Sequence, residues 1–337
     1  MNEVDIQAIK TVLQTPKNIV IIPHKNPDSD AIGSTLALWH YLKNKGQEAI
    51  IIAPNDYPDF LKWMPGETEI LKFDAKKEEA KKYIEDANVI FTLDFNDLSR
   101  IGEMQAVVAK SEATFIMIDH HQQPADYATY MYSDTRMSST CEMVYNFICF
   151  LGDENEITAE MASCMYSGIM TDTGSFRFSA TTSTTHRVIA SLMDKGAKNN
   201  EIHNAIYDTN SPSKLQLLGC ALKNLVVLEA YNTVYITLSK LELLQHDFRK
   251  GDTEGFVNYG LSLKGIKFAA IFIENLQEPY IKMSLRSKGD FSVNEFARAH
   301  FNGGGHTNAA GGRSDDSMEN TVKNFTEIIT AYKNELS

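Results

Sequence analysis

The sequence predicts an α/β protein of two domains, and three observations carry that prediction. Short apolar runs alternate with helix-period segments through the first half of the chain. Each run is continuous rather than alternating, the pattern of parallel strands buried on both faces, so a mostly parallel sheet flanked by helices is expected. The chain, at 337 residues, exceeds one ordinary core, and its pattern changes after a polar stretch. The first domain is expected over residues 1–196, a join over 197–214, and a smaller α/β domain over 215–337, with an active-site cleft between the two.

The elements follow in order. Val4, Ile9, Val12 and Leu13 recur at helical spacing before Pro16. The run Ile19-Val20-Ile21-Ile22 is the first strand, and the turn His24-Lys25-Asn26-Pro27-Asp28-Ser29-Asp30 follows it directly. Residues 31–45 read as a helix, with Ile32, Leu36, Trp39 and Leu42 on one face and Gly46 as its stop. Residues 48–53 form an isoleucine-rich strand, 54–66 a proline-containing loop, and 75–85 a charged helix. Strands at 89–94 and 114–118 run into Asp94 and into Asp119-His120-His121. Helices are expected at 138–151, 158–170 and 182–195, the second running into a turn at Thr171-Asp172-Thr173-Gly174. The asparagine-bearing stretch 197–212 marks the join. Beyond it, strands are expected at 225–228, 233–238, 268–273 and 280–284, and helices at 293–300 and 317–336. Between these last helices lies the glycine-rich turn Gly303-Gly304-Gly305-His306.

Composition limits the function. A net charge of −12 argues against coating long nucleic acid by counterion release. Residues 264–313 nevertheless carry seven Lys+Arg against four Asp+Glu. An acidic body with one mildly basic segment suits a small phosphorylated substrate. No run is long enough to span a bilayer, and the acidic N-terminus lacks the pattern of a secretory signal. Cys141, Cys149, Cys164 and Cys220 form no CxxC pair. Neither a disulfide framework nor a zinc knuckle is therefore expected, and the cytoplasm is the expected compartment.

Three strands end in acidic or imidazole groups. One Asp after a strand is usually a helix cap; three strands doing so at one sheet edge are hard to explain as caps. With Asp172, the candidate ligands are His24, Asp28, Asp30, Asp94, His120 and Asp172. Four carboxylates and two imidazoles gathered together need cations, and oxygen with nitrogen donors suits a hard or borderline divalent ion such as Mn²⁺ or Mg²⁺, with Co²⁺ as a further alternative. Two ions about 3.5–4 Å apart can share carboxylates, supply hydroxide at neutral pH and clamp an in-line displacement at phosphorus. Asp94 and Asp172 are the expected shared, catalytic ligands, and His121 is the group free to protonate a leaving oxygen. In the second domain, Gly303, Gly304 and Gly305 let backbone N–H groups approach an anion. His306 adds a donor, and Arg286 offers a bidentate fork for phosphate.

The set HKNPDSDAIGS, TLDFND, IDHHQQP, MTDTGSF and FNGGGHTNAAGG resembles the DHH phosphoesterase superfamily with a DHHA1 C-terminal domain. The resemblance covers nearly the whole chain, five motifs in order, with no departure at a metal position. It implies Mn²⁺ dependence, with one ion on His24, Asp28 and Asp94 and the other on Asp30, Asp94, His120 and Asp172. It further implies that Asp119 orients the imidazoles, that Arg286 and His306 bind substrate, and that a homodimer forms. RecJ-type exonucleases carry an added nucleic-acid-binding domain, and the membrane-bound cyclic-dinucleotide enzymes carry further segments. Family II pyrophosphatases use a different second-domain motif. The layout is therefore that of the stand-alone oligoribonuclease and 3′,5′-bisphosphate nucleotide phosphatase type.

The expected reaction is hydrolysis of short RNA or DNA oligonucleotides, about two to five nucleotides, to 5′-mononucleotides, since few basic residues are available to track a longer strand. Dephosphorylation of 3′-phosphoadenosine 5′-phosphate accompanies it. Cyclic dinucleotides and polyphosphate or pyrophosphate are the alternative substrates for the same centre. His40, His186, His203, His246 and His300 are read as structure, and Arg100 is left out of the site.

Overall fold

The computed structural model describes residues 1–337, which divide into two units, Met1–Thr209 and Asn210–Ser337. The first unit begins with α1 (Glu3–Val12), β1 (Asn18–Pro23), α2 (Ser29–Asn44), β2 (Glu48–Ala53), β3 (Ile70–Lys72) and α3 (Lys77–Glu85). It continues with β4 (Val89–Leu93), α4 (Gln105–Val108), β5 (Thr114–Asp119), β6 (Tyr130–Ser133), α5 (Thr140–Phe150), α6 (Ala159–Asp172), α7 (Ser183–Asp194) and α8 (Asn199–Tyr207).

Its six strands pair in parallel in the order β3-β2-β1-β4-β5-β6. The chain winds outward from β1 to one side and from β4 to the other, so the order reverses between these neighbours, where an open α/β sheet leaves a crevice at its strand ends. Both faces are covered. Ile19, Ile21, Phe91 and Ile118 pack under α2, α5 and α6, and Val20, Ile22, Ile90 and Phe115 pack on α3 and α4. This accounts for the unbroken apolar runs, since each inward residue contributes about 1.5–3 kcal/mol when fully buried.

Helices α2 and α6 lie unusually close. A Cβ on Gly33 would stand 2.5 Å from the Cys164 carbonyl oxygen, and one on Gly168 would stand 2.7 Å from Asp30 Oδ1. The crossing sets the start of α2 against the end of α6. Helix α6 extends through Asp172, so this carboxylate sits on a last helical turn rather than in the expected loop; the tight bend follows at Gly174, with φ +58.

The second unit comprises α9 (Pro212–Lys223), β7 (Val226–Leu228), β8 (Thr233–Leu238), α10 (Lys240–Gln245), α11 (Phe256–Leu261) and β9 (Phe268–Glu274). After these come β10 (Ile281–Ser287), α12 (Val293–His300), β11 (Gly304–His306), β12 (Ala309–Ser314) and α13 (Met318–Ile329). Its mixed sheet runs β11-β12-β10-β9-β8-β7, parallel only between β8 and β9.

The break between units lies at 209/210, and the stretch around it carries helices. Ile202 and Ile206 of α8 are buried in the first unit's core, and Ser211 caps α9 ahead of Pro212. Asparagines elsewhere in the stretch hide this period of apolar residues. Four strands escaped the sequence reading, β3, β6, β11 and β12, together with α4 and α11. β3, β6 and β11 are three or four residues long, and β11 and β12 are glycine-rich, so no periodicity accumulates.

Candidate metal centre

Parallel pairing sets the site. Pro23 pairs with Leu93, and Leu93 with Ile118, so His24, Asp94 and Asp119 emerge level at the carboxyl ends of β1, β4 and β5. Asp94 adopts a left-handed backbone, φ +67, a region that Asp tolerates better than most residues. Asp28 caps α2, its Oδ1 accepting from the N–H groups of Asp30 and Ala31.

Asp94, Asp119 and His121 group together at this edge, and two further clusters lie beside them. His24, Asp28 and Asp94 bring one ligand atom each within 4.8 Å of one another, and so do Asp30, His120 and Asp172. Asp94 faces both: its Oδ2 lies 3.5 Å from His24 Nε2 and its Oδ1 lies 3.5 Å from His120 Nε2. Asp172 Oδ2 lies 3.4 Å from His120 Nε2, and Asp30 Oδ2 3.8 Å from the same nitrogen. Each imidazole sets its other nitrogen against a backbone carbonyl, His24 Nδ1 on Lys25 at 2.9 Å and His120 Nδ1 on Met137 at 3.2 Å. Such contacts fix the tautomer and leave Nε2 as the ligand atom.

Charge in this place is costly. Burial, with the Asp94 and Asp172 carboxylates nearby, pushes the Asp30 carboxyl well above the usual range. Burial also works against an ionised Asp94, but hydrogen bonds from His120 and His24 hold it well below that range. The same partners outweigh burial at His120 and His24 and raise both imidazoles. Crowded, water-poor carboxylates of this kind call for a compensating positive charge, and oxygen and imidazole donors are what a divalent cation accepts. The residues therefore fit the divalent metal that the sequence motifs imply.

The N-terminal turn of α5 was read only as a helix start, yet it engages two of these carboxylates. Thr140 N–H and Cys141 N–H donate to the two oxygens of Asp30 at 2.6 and 2.9 Å, and the Thr140 hydroxyl donates to Asp94 Oδ1 at 2.9 Å. Ser138-Ser139-Thr140 shows the N-cap signature in sequence, but nothing there tells which carboxylate fills the turn. Asp119 is fully buried, with its Oδ1 2.7 Å from His121 Nδ1. Arg100, left out of the sequence reading, lies close enough for its charge to act on His24, and its carbonyl accepts from Lys25 N–H at 2.8 Å. His40 and His300 serve structure, bonding the Pro65 carbonyl and the Tyr332 hydroxyl.

In the second unit, Arg286 lies on β10 and His306 on β11, and Ala309 of β12 pairs with both. The two side chains thus share one row across three strands. The expected glycine cradle is narrower than the sequence suggests. Gly303 N–H donates to the Ala297 carbonyl and Gly305 N–H to Asn294 Oδ1, so two of the three backbone donors are already engaged.

A parallel sheet carrying this His/Asp constellation at its switch point, followed by a mixed-sheet unit, defines a metal-dependent phosphoesterase. Residues 18–169 match the DHH family, N-terminal domain, and residues 230–335 match the DHHA1 domain. The chain belongs to the DHH family and is a phosphoester hydrolase. It is 32% identical over 293 residues to the bifunctional oligoribonuclease and PAP phosphatase NrnA of Thermus thermophilus, covering 87% of this chain and 83% of that protein. The NrnA of Bacillus subtilis is 27% identical, over 87% of this chain and 88% of its own. An exopolyphosphatase-related protein from Bacteroides fragilis has a crystal structure that superposes with a TM-score of 0.94 at 42% identity, over 99% of this chain and 98% of that one. No helix is long and apolar enough to cross a membrane.

Proposed function

We propose that this phosphoesterase hydrolyses very short oligonucleotides, about two to five nucleotides, to 5′-mononucleotides and removes the 3′-phosphate of 3′-phosphoadenosine 5′-phosphate. The observation that carries the reading is the likeness to the bifunctional NrnA of Thermus thermophilus over most of both chains. Two clusters, with Asp94 of the first turned by its other oxygen toward His120 of the second, support it as a centre for two cations. His24, Asp28 and Asp94 would hold one, and Asp30, Asp94, His120 and Asp172 the other. Mn²⁺ is the preferred ion, by its acceptance of mixed carboxylate and imidazole donors. Bound there, the cations neutralise phosphoryl charge and make water acidic enough to attack at neutral pH.

The chain's own groups do the rest. Asp119 holds His121 by Nδ1, and in its imidazolium form the ring would donate the Nε2 proton to the leaving oxygen and be left neutral. Arg286 grips phosphate through its fork, and His306 adds a single donor. The helix α5 turn keeps Asp30 and Asp94 oriented so that their free lone pairs remain directed to the centre.

The likeness to the exopolyphosphatase-related protein supports one other reading, inorganic polyphosphate as substrate at the same centre. Initial rates with Mn²⁺ on 5′-phosphorylated diadenylate (pApA), 3′-phosphoadenosine 5′-phosphate, cyclic di-AMP and tripolyphosphate separate the two. Fastest turnover of pApA, lost with chelator, is the expected result. Fastest turnover of tripolyphosphate would replace the oligonucleotide reading.

A further inference from the structure

Ser139 and Glu142 stand at the spacing of a capping box at the start of α5, yet only half of the box forms. Glu142 N–H donates to Ser139 Oγ at 3.1 Å. The return bond, from the backbone of the capping serine to the carboxyl, is made in α10, where Ser239 N–H donates to Glu242 at 2.8 Å. In α5 the Glu142 carboxyl is engaged elsewhere. Its Oε2 accepts from the Ser138 hydroxyl and, at 3.0 Å, from the hydroxyl of Thr185 on α7. All three side chains are buried. Such a network gains the fold little, since apolar side chains of the same shape would serve about as well. What a fully bonded buried network does supply is fixed geometry. Thr185 passes that geometry on: its Oγ1 also accepts from Thr182 N–H at 3.1 Å, closing the capping box of α7. Glu142 therefore fixes where α7 begins.

The chain that joins Asp172 to α7 is bent in an uncommon way. Gly174, Ser175 and Phe176 are left-handed in succession, at φ +58, +59 and +66. A left-handed residue with a Cβ is strained and ordinarily occurs singly. A run of them persists only where the surroundings over-determine it. Here they do. Arg177 N–H and Phe178 N–H both donate to the Thr173 carbonyl, at 2.9 and 3.0 Å. The Phe176 ring meets Tyr166 of α6 and His186 of α7, at centroid distances of 6.1 and 5.7 Å. His186 directly follows Thr185, so the bend leans on the residue next to the one that Glu142 holds.

Asp172 is the last residue of α6 and lies beyond Gly168, where that helix is pinned against Asp30 and Cys141. Helix ends fray. The close crossing at Gly168 thus leaves the final turn to be secured from its far side, by the bend and by α7. We infer that Glu142 is a positioning residue of the metal centre. Through Thr185 and the left-handed bend it holds Asp172 in place for the cation that Asp172 would share with Asp30 and His120. Its neighbours Thr140 and Cys141 hold Asp30, and the Thr140 hydroxyl holds Asp94, so one helical turn sets three carboxylates against one another. This rests on the two-cation centre proposed above.

Thr185→Val and Glu142→Leu each break the link, and Thr185→Ser keeps it. Calorimetric Mn²⁺ titration of the full chain reads each ion, and electron paramagnetic resonance reads whether two Mn²⁺ lie close enough to couple. In both breaking variants one Mn²⁺ should bind about 10- to 100-fold more weakly, the usual cost of losing a group that orients a ligand. The other should stay within a few-fold of the parent. At Mn²⁺ concentrations that fill both sites of the parent, the coupled spectrum should give way to that of isolated Mn²⁺, and Thr185→Ser should match the parent. A lower melting temperature with both affinities unchanged would make the contact structural and overturn the role of Glu142, while the two-cation centre stood. Equal weakening of both ions would overturn it as well, by showing general loosening. A parent that binds a single Mn²⁺, weakened in both breaking variants and restored in Thr185→Ser, would keep that role and overturn the two-cation centre. Loss of folding in both breaking variants would make the link a requirement of the fold and overturn the proposal.

Discussion

Thr140 and Asp94 are joined by a hydrogen bond of 2.9 Å, although they lie on different elements and 46 residues apart. The same threonine holds Asp30 by its backbone N–H. One residue thus orients a carboxylate from each cluster, and its hydroxyl selects which Asp94 oxygen is turned toward His120. Removing the hydroxyl while keeping the shape, Thr140→Val, should weaken Mn²⁺ binding about 10- to 100-fold, the usual cost of losing a group that orients a metal ligand. Thr140→Ser should restore it. Calorimetric Mn²⁺ titration reads this without turnover, and equal affinities for Thr140→Val and the parent would remove Thr140 from the site.

Asp94 belongs to the His24 cluster and lies 3.5 Å from His120 of the other, so Asp94→Asn should cut pApA hydrolysis by at least about 10²-fold, on the scale of losing a single transition-state stabilising group. Asparagine tolerates the left-handed backbone at φ +67 as aspartate does, so folding should survive. A circular dichroism spectrum like the parent's, with Mn²⁺ stoichiometry below the parent's, is the accompanying expectation.

His121 falls outside the clusters of His24 and of Asp172 and groups instead with Asp94 and Asp119, with Asp119 engaging its Nδ1. His121→Asn should therefore leave Mn²⁺ affinity within a few-fold and lower kcat by about 10²–10⁴, the range for a lost general acid. Asp119→Asn should act in the same direction by releasing His121 Nδ1. A fall in Mn²⁺ affinity that matched the fall in kcat would make His121 a ligand instead.

Mn²⁺ should raise the melting temperature of the first unit. At a concentration about 100 times Kd, linkage gives about 2.7 kcal/mol. At about 2–4 °C per kcal/mol for a unit of this size, that is a rise of about 5–10 °C. Chelator should reverse it, and calorimetry should leave the second unit's transition in place.

In the second unit, Glu242 closes the capping box of α10. Burial opposes its ionisation, but Asn224 and the Ser239 N–H and hydroxyl hold it down to about 2. Its folded value lies below the ordinary 4.5, so its stabilising share is complete above that value and fades as pH falls toward 2. Glu242→Gln should be less stable at pH 7 by about 1 kcal/mol. The gap should narrow on acidification, as denaturant midpoints at pH 7, 4 and 3 would show.

Legibility in the sequence followed the reach of each signal. β1, β2, β4 and β5 are deeply buried and announce themselves as continuous apolar runs, and the ligands stand where those runs end. α8 was concealed because Ile202 and Ile206 are its only buried residues among asparagines and charges. Asp28 illustrates two readings that do not compete: it caps α2 with one oxygen and belongs to a ligand cluster. The bonds from Thr140 N–H to Asp30 and from His120 to the Met137 carbonyl could not be read at all, because a backbone N–H or carbonyl carries no residue type.

The level exit of His24 and Asp94 depends on Pro23 standing opposite Leu93. Strand pairing has a period of two, so sliding β4 by a single residue would turn its carboxylate to the wrong side and put the imidazole out of step. The ion is thus a gauge of alignment. A chain that closes this sheet in any neighbouring arrangement is left without a cation and without chemistry, so loading with metal doubles as inspection of the finished fold.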